Sequence, residues 1–295
     1  MPTGRRSTDR AADGAPRHRP RKRFGQHFLS PAWARKVVDA IDVRPGDVFL
    51  EVGPGRGALT LPLAGTGARV LAVEIDRDLV ARLAGAVPPH VTLLAGDVLD
   101  LDVVAYLKGM APQRPPAEQQ AAPVRYRVAG NLPYNVATPI IMRLIEIGRR
   151  QRFFSDATVM VQREVADRLL ARPGTKAYGA LTVAATVHTR ITKLLDLPPG
   201  AFSPPPKVRS SVIRLEFGAS AVRIVDEALF DRLVRALFSA RRKTLSNALK
   251  RFDRSGADVL ARSGLEGRRR PETLQVTEIA RLVELFASTG RPPVL

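Results

Sequence analysis

Residues 47–60 read DVFLEVGPGRGALT, and this stretch decides the fold. An apolar run ends at three closely spaced glycines, Gly53, Gly55 and Gly57, and a helix-forming segment follows them. Glycine permits a tight turn and lets the backbone approach a ligand, while the next helix presents free N–H groups at its N-terminus. Gly53, Gly55 and Ala58 also fit a G-x-G-x-x-A nucleotide-binding pattern, although a strand-to-helix turn without a ligand is the alternative interpretation.

Strands and helices alternate on both sides of this turn. A helix is predicted over residues 31–42, with Ser30 as its N-cap and Pro31 at its first position. The further segments are strands over 68–76, 91–98, 126–132 and 157–162 and helices over 58–65, 77–86, 137–148 and 163–171. Continuous apolar strands that alternate with helices indicate a parallel sheet covered on both faces. We therefore predict a Rossmann-like α/β domain, with 211–217 as a last strand near an edge of the sheet.

The pattern turns helical near residues 218–222, where we place a domain boundary. Apolar residues recur at helical spacing after it, which predicts a small all-α C-terminal domain over 219–295. Residues 1–20 are predicted to be a disordered basic tail because they are poor in apolar residues. The α/β domain then spans 21–218. Within it, 110–123 is expected to be a surface loop and the proline-dense segment 197–210 to be irregular.

Carboxylates end the next two strands of the predicted sheet. Glu74 lies twenty-one residues after Gly53, where an acidic side chain can bind ribose hydroxyls, and Asp97 ends the following strand. A surface acid and a helix N-cap are the respective alternatives. A glycine-rich turn, a glutamate and an aspartate at three neighbouring strand ends together predict a nucleoside-binding edge.

The strand over 126–132 leads into Asn131-Leu132-Pro133-Tyr134, and this motif resembles that of the ribosomal RNA adenine N6-dimethyltransferases. The resemblance continues in order along residues 21–285, in RKRFGQHFL (21–29), EVGPGRGALT (51–60), GDVLDLD (96–102), VQREVADRL (161–169), YGALTV (178–183), AFSPPPKVRSSVIRL (201–215) and FSARRKTLSNALK (238–250). It implies a class I methyltransferase domain with S-adenosylmethionine as the cofactor.

The resemblance also implies roles for individual residues. The residues expected to act in catalysis are Asn131, Leu132, Pro133 and Tyr134. The residues expected to bind the cofactor are His27, Leu29, Gly53, Gly55, Glu74, Ile75, Asp97, Val98 and Asn131. The residues expected to bind RNA are Phe202, Lys207, Arg241, Arg242 and Lys243. No metal is expected.

The chemistry follows from the residue types in the motif. The Asn131 side-chain oxygen and the Leu132 carbonyl are suited to accept hydrogen bonds from adenine N6. Pro133 has a fixed φ and so restrains the direction of the Leu132 carbonyl before it. Tyr134 is expected to stack on a base extruded from its helix, and Phe202 to close the base's other face. No general base is required within the motif, so positioning carries the reaction.

Two branches of the family compete. One dimethylates two adjacent adenines near the 3′ end of small-subunit rRNA, and the other dimethylates a large-subunit adenine and confers antibiotic resistance. FSPPPKV (202–208) and RRKTLSNAL (241–249) favour the small-subunit branch. One departure is His27, because the family motif usually reads Gly-Gln-Asn-Phe-Leu, and the role of this side chain is therefore open.

Composition limits the alternatives. The 295 residues carry a formal net charge of +19, which favours a polyanionic partner such as nucleic acid. The resemblance implies that this partner is 16S rRNA in a small-subunit precursor. No cysteine and no long apolar run occur, so we expect a cytoplasmic protein without a membrane partner, acting as a monomer. A nicotinamide dehydrogenase would not require Asn-Leu-Pro-Tyr, a DNA adenine methyltransferase would more often carry Asp-Pro-Pro-Tyr, and a non-catalytic assembly factor would not need the intact motifs.

Overall fold

The computed structural model describes residues 26–111, 124–218, 222–239 and 242–289. The predicted tail and nearly all of the predicted loop over 110–123 lie outside these residues. In chain order the strands are β1 (Phe28–Leu29), β2 (Val48–Val52), β3 (Arg69–Glu74), β4 (Val91–Ala95), β5 (Tyr126–Asn131), β6 (Phe154–Gln162), β7 (Thr189–Leu197), β8 (Phe202–Ser203) and β9 (Ser210–Phe217). The helices are α1 (Pro31–Ile41), α2 (Thr60–Gly65), α3 (Arg77–Ala84), α4 (Val103–Gly109), α5 (Ala137–Gln151), α6 (Arg163–Leu169), α7 (Ala180–Thr186), α8 (Glu227–Ser239), α9 (Leu245–Phe252), α10 (Gly256–Ser263) and α11 (Val276–Ala287).

A seven-stranded sheet in the order β4-β3-β2-β5-β6-β9-β7 forms the centre of the molecule. The first five of these strands are parallel, which confirms the Rossmann-like prediction, and β9 runs antiparallel to both of its neighbours. The predicted last strand over 211–217 is β9, which lies near an edge as expected, next to the edge strand β7. The sequence pattern did not predict β7. Helices α4, α7 and α10 were not predicted either.

Strand β2 lies in the interior of this sheet, and its side chains contribute to the core on both faces. Val48 and Leu50 pack into the apolar cluster on one face, and Phe49 packs into the cluster on the other. All three are fully buried, as expected for a parallel strand with helices on either side. Gly130 in β5 lies so close to β2 that a Cβ there would be 2.7 Å from the Val52 carbonyl oxygen. This contact brings the ends of the two strands together.

The C-terminal helices share their core with part of the α/β region. Tyr178, Val183 and Val187, in and around α7, are buried in the same cluster as α8 to α11. The Tyr178 hydroxyl donates to the Leu274 carbonyl at 2.7 Å. The predicted boundary at residue 218 therefore divides the chain at a point where the packing is continuous. Among the described helices, none is long and apolar enough to cross a bilayer.

A buried guanidinium lies at the amino ends of the strands, away from the glycine-rich turn. Arg127 in β5 is 1% exposed and donates to both carboxylate oxygens of Asp156, at 2.8 and 3.0 Å. It also donates to Asp47 at 2.9 Å and to the carbonyls of Ile41 and Asp42 at 2.7 and 2.9 Å. All five N–H groups of the guanidinium are thereby used. The residue joins β5, β6 and the end of α1.

We predict that Arg127→Met lowers the free energy of unfolding by about 3–5 kcal/mol, because two buried carboxylates lose their main partner. Urea denaturation measures the loss. Arg125→Met is the matched control, since Arg125 faces the same two aspartates from 3.4 and 3.6 Å but its side chain is 32% exposed. An equal loss in both variants would contradict the central role of Arg127.

Candidate active site

The carboxyl ends of β2 to β5 surround two adjoining cavities of about 70 and 260 Å³. Gly53, Glu74, Ile75 and Pro133 line both. Ligands of open parallel sheets bind at this edge. The sequence therefore places its glycine-rich turn, its acidic strand ends and the Asn-Leu-Pro-Tyr motif around one site.

The glycine-rich turn is held in place by Glu74. Gly53 and Gly55 have φ values of 70° and 58°, the left-handed region that glycine adopts without strain. The Gly55 N–H donates to Glu74 Oε2 at 3.0 Å, and the Asp76 N–H donates to Glu74 Oε1 at 3.0 Å. Burial raises the pKa of Glu74, and the two N–H donors offset part of that rise. A carboxylate has about four acceptor sites, so Glu74 retains capacity for ligand hydroxyls.

The larger cavity brings together the other residues predicted to hold an adenosine. Ile75, which is 45% exposed, and the buried Val98 line it with Asp97. Asp97 Oδ1 also accepts from the Leu99 N–H at 2.9 Å, so this carboxylate both stabilises a turn and faces the cavity. Asn135, for which no role was predicted, lines the same cavity.

The amide of Asn131 has a defined orientation. Its Nδ2 donates to the His27 carbonyl at 2.7 Å, which leaves Oδ1 as the acceptor of this side chain. The next residue is anchored as well, because the Leu132 N–H donates to the Met160 carbonyl at 3.1 Å. The Tyr134 hydroxyl lies 2.6 Å from Ser210 Oγ, and burial raises the pKa of Tyr134. The motif is therefore fixed from β6, from β9 and from the N-terminal segment.

Residues 26–29 line the smaller cavity and are called the cover segment below. Gln26 Nε2 donates to Asp76 Oδ2 at 3.0 Å. The Phe28 ring packs on the glycine-rich turn, where a Cβ on Gly55 would be 3.2 Å from it, and the Arg56 guanidinium lies 4.2 Å from the ring centre. Sequence reasoning did not select Gln26 or Phe28, although both belong to the RKRFGQHFL motif. Leu29, predicted to meet the cofactor, lines the smaller cavity and is 6% exposed.

The residues predicted to bind RNA are placed differently from one another. Phe202 in β8 pairs with Leu29 in β1 and is 4% exposed, packed in the core with α1. The structure therefore does not place its ring at the cavity, because pairing of the two short strands turns it inward. Lys207, Arg242 and Lys243 are exposed. Arg241 lies outside the described residues.

Glu51 is a site residue that sequence reasoning missed. It interrupts the apolar run of β2, is 1% exposed and lines the smaller cavity. Burial raises the pKa of Glu51 to about 8, with Glu74 adding to the rise and Thr60 lowering it. Its Oε2 has no hydrogen-bond partner among the described residues. A buried polar atom without a partner, next to Glu74 and lining a cavity, marks a position at which a ligand can supply the missing hydrogen bond.

Comparison with known proteins agrees with this geometry. Residues 17–288 match the family model of the ribosomal RNA adenine dimethylases. The chain belongs to this family. It is 42% identical to the ribosomal RNA small subunit methyltransferase A of Aromatoleum aromaticum, over 92% of this chain and 96% of that protein. The protein of the same name from Laribacter hongkongensis is 40% identical, over 93% and 99%.

Two solved structures share the fold of this dimethylase. A dimethyladenosine transferase from Plasmodium falciparum has a TM-score of 0.71 at 23% identity and covers 90% of this chain and 98% of its own. The 23S rRNA methyltransferase ErmE has a TM-score of 0.59 at 23% identity, with coverage of 88% and 99%.

The methyl donor of this dimethylase is S-adenosylmethionine, and the site fits it. We expect Glu74 and the glycine-rich turn to hold the ribose, and Asp97 with the apolar side chains of Ile75 and Val98 to hold the adenine. Glu51 lines the smaller cavity, where we expect the methionine part. When bound, the cofactor supplies an electrophilic methyl group on a sulfonium.

We predict that Glu51→Gln changes the pH dependence of stability. The folded pKa of about 8 lies above the ordinary value of 4.5, so the folded state keeps a proton that the unfolded chain loses between these values. The free energy of unfolding of the wild-type protein therefore falls as the pH rises through this window and levels off above it. The glutamine variant lacks this fall, so its stability relative to wild type should be about 2 kcal/mol or more higher at pH 8.5 than at pH 5.5.

Urea denaturation at the two pH values measures this difference. Glu284→Gln, a change at an exposed position of α11, is the control and should differ from wild type equally at both. The same behaviour in both variants would mean that Glu51 is ionised in the folded protein.

Proposed function

We propose that the protein transfers methyl groups from S-adenosylmethionine to N6 of two adjacent adenines near the 3′ end of 16S rRNA during maturation of the small ribosomal subunit. The observation that carries the chemistry is the Asn131 amide, whose nitrogen is held by the His27 carbonyl at 2.7 Å and whose oxygen is left to accept. The relatives named ribosomal RNA small subunit methyltransferase A support the choice of RNA.

The motif acts by holding an amino group that is a poor nucleophile. The lone pair of adenine N6 is delocalised into the ring, and acceptors aimed at its two N–H groups favour a more tetrahedral nitrogen. Asn131 Oδ1 and the Leu132 carbonyl are those acceptors, and both are fixed before the substrate arrives. Pro133 restrains the backbone after Leu132. The amine becomes cationic when it is methylated and then loses one proton readily, so no side chain of the motif needs to act as a base.

Tyr134 provides the surface on which the base stacks. Its ring lines the smaller cavity and its hydroxyl is held by Ser210, so its orientation is set before the base enters. Stacking of a base on an aromatic ring is worth about 1–3 kcal/mol. The target adenine must therefore be single-stranded or extruded from its helix. The same site takes the N6-methyl product for the second transfer.

Exposed basic side chains hold the RNA backbone. Lys207 follows the prolines after β8, and Arg242 and Lys243 precede α9. We assign these three side chains, together with Arg241, to phosphate contacts that add to the attraction from the net charge of +19. Phe202 is not included, because it is buried. The protein acts as a monomer in the cytoplasm, where small subunits are assembled.

We predict that Asn131→Ala lowers the rate of methyl transfer by about 100-fold or more, the loss typical when one preorganised hydrogen-bonding group is removed. Transfer of labelled methyl groups measures the rate, and calorimetry of S-adenosylhomocysteine binding should show only a modest loss of affinity. A variant with near-normal turnover would contradict the assignment of Asn131.

The substrate is tested with ribosomal subunits from a bacterial strain that lacks the endogenous enzyme. We expect labelled methyl groups in the small subunit, as N6,N6-dimethyladenine at two adjacent positions. Label confined to naked 23S rRNA would support the large-subunit branch instead. Binding of small subunits without any transfer would make the protein an assembly factor that retains the fold.

A further inference from the structure

His27 in the cover segment contacts both the catalytic motif and the loop after β8. Its carbonyl accepts from Asn131 Nδ2 at 2.7 Å. Its Nδ1 lies 2.8 Å from the Pro204 carbonyl oxygen, and since a carbonyl can only accept, Nδ1 carries the hydrogen. Its ring is stacked against Tyr134, with 5.4 Å between the ring centres and 28° between the planes. This separation is within the range of favourable aromatic pairs.

The rest of the cover segment contacts the cofactor side of the site. Phe28 packs on Gly55, whose N–H holds Glu74, and Gln26 bonds to Asp76, whose N–H holds the other oxygen of Glu74. Any ligand that orders the glycine-rich turn and Glu74 therefore also orders the surface on which the cover segment rests. His27 contacts Asn131 and Tyr134, so ordering of the cover segment also orders the two side chains that hold the base.

We propose that His27 is a positioning residue that couples binding of the cofactor to binding of the target adenine. With the cover segment seated, the His27 ring supports one face of Tyr134 and leaves the other to the base, while the His27 carbonyl orients the Asn131 amide. The bond to Pro204 fixes the ring relative to the loop that carries Lys207. Each ligand then strengthens binding of the other, as thermodynamic linkage requires. The inference rests on the proposed function only in taking an adenine of RNA as the substrate.

The coupling is measured as the ratio of two dissociation constants. Fluorescently labelled protein is titrated with unmethylated small ribosomal subunits, with and without saturating S-adenosylhomocysteine. For the wild-type protein we expect the ligand to tighten binding by about five-fold or more. In His27→Ala the ratio should fall close to one, while calorimetry shows that affinity for S-adenosylhomocysteine alone changes much less than the coupling does.

Two further variants separate the contributions of the side chain from general damage. His27→Asn keeps an N–H donor near the position of Nδ1 but has no ring, and His27→Phe keeps a ring but has no donor. Both keep the carbonyl that holds Asn131. We expect each to retain part of the coupling and to lose turnover mainly in kcat, since the base is bound less often in a reactive position. These variants also provide the test if His27→Ala does not fold.

The outcomes are distinct from those of the function experiment. A wild-type protein without coupling, or a full coupling ratio in the alanine variant, would overturn the role of His27 even where methyl transfer to the small subunit is intact. Loss of cofactor affinity equal to the loss of RNA affinity would show that His27 is merely a cofactor contact. If the wild-type protein transfers no methyl group to RNA, the proposed function fails first.

Discussion

The buried guanidinium of Arg127 is the interaction on which the sheet depends. Removing a charge from water is costly, and the cost is offset only when every donor finds a partner. Here the partners come from the end of α1, from Asp47 just before β2 and from Asp156 in β6, so β2, β5 and β6 are held together near their amino ends. The glycine-rich turn and Asn131 lie at the carboxyl ends of β2 and β5. A contact at one end of these strands therefore supports the relative position of the site residues at the other end.

Most of the α/β architecture could be predicted from the sequence because its strands are buried on both faces. The run VFLEV in β2 and the glycines after it indicate a buried strand followed by a tight turn, and the helices between the strands have regular apolar spacing. β7 could not be predicted in this way, because Thr189–Leu197 mixes exposed and half-buried positions without strict alternation. Its place at the edge of the sheet leaves one side of the strand unpaired, so the pattern is relaxed.

The predicted site residues also divide into those that local sequence places and those that depend on pairing between distant segments. Gly53, Glu74, Asp97 and Asn131 lie at the ends of strands or within two residues of them, so local sequence places them at one edge. Phe202 and the cover segment depend on pairing between β1 and β8, two strands of two residues each that are far apart in the chain. No local pattern encodes that pairing, so the prediction for Phe202 relied on its type alone. Glu51 was missed because a carboxylate inside an apolar strand is an exception that only the cavity explains.

The contribution of α7 to the core of the C-terminal helices limits how the molecule can be divided. Tyr178, Val183 and Val187 bury their side chains among α8 to α11, and the Tyr178 hydroxyl bonds to the backbone before α11. A chimera that exchanged only residues after 218 with those of a relative would pair each new helical core with a foreign α7. Residues 178–187 must therefore be exchanged together with the helices. The unit that can be exchanged between relatives is discontinuous in the chain.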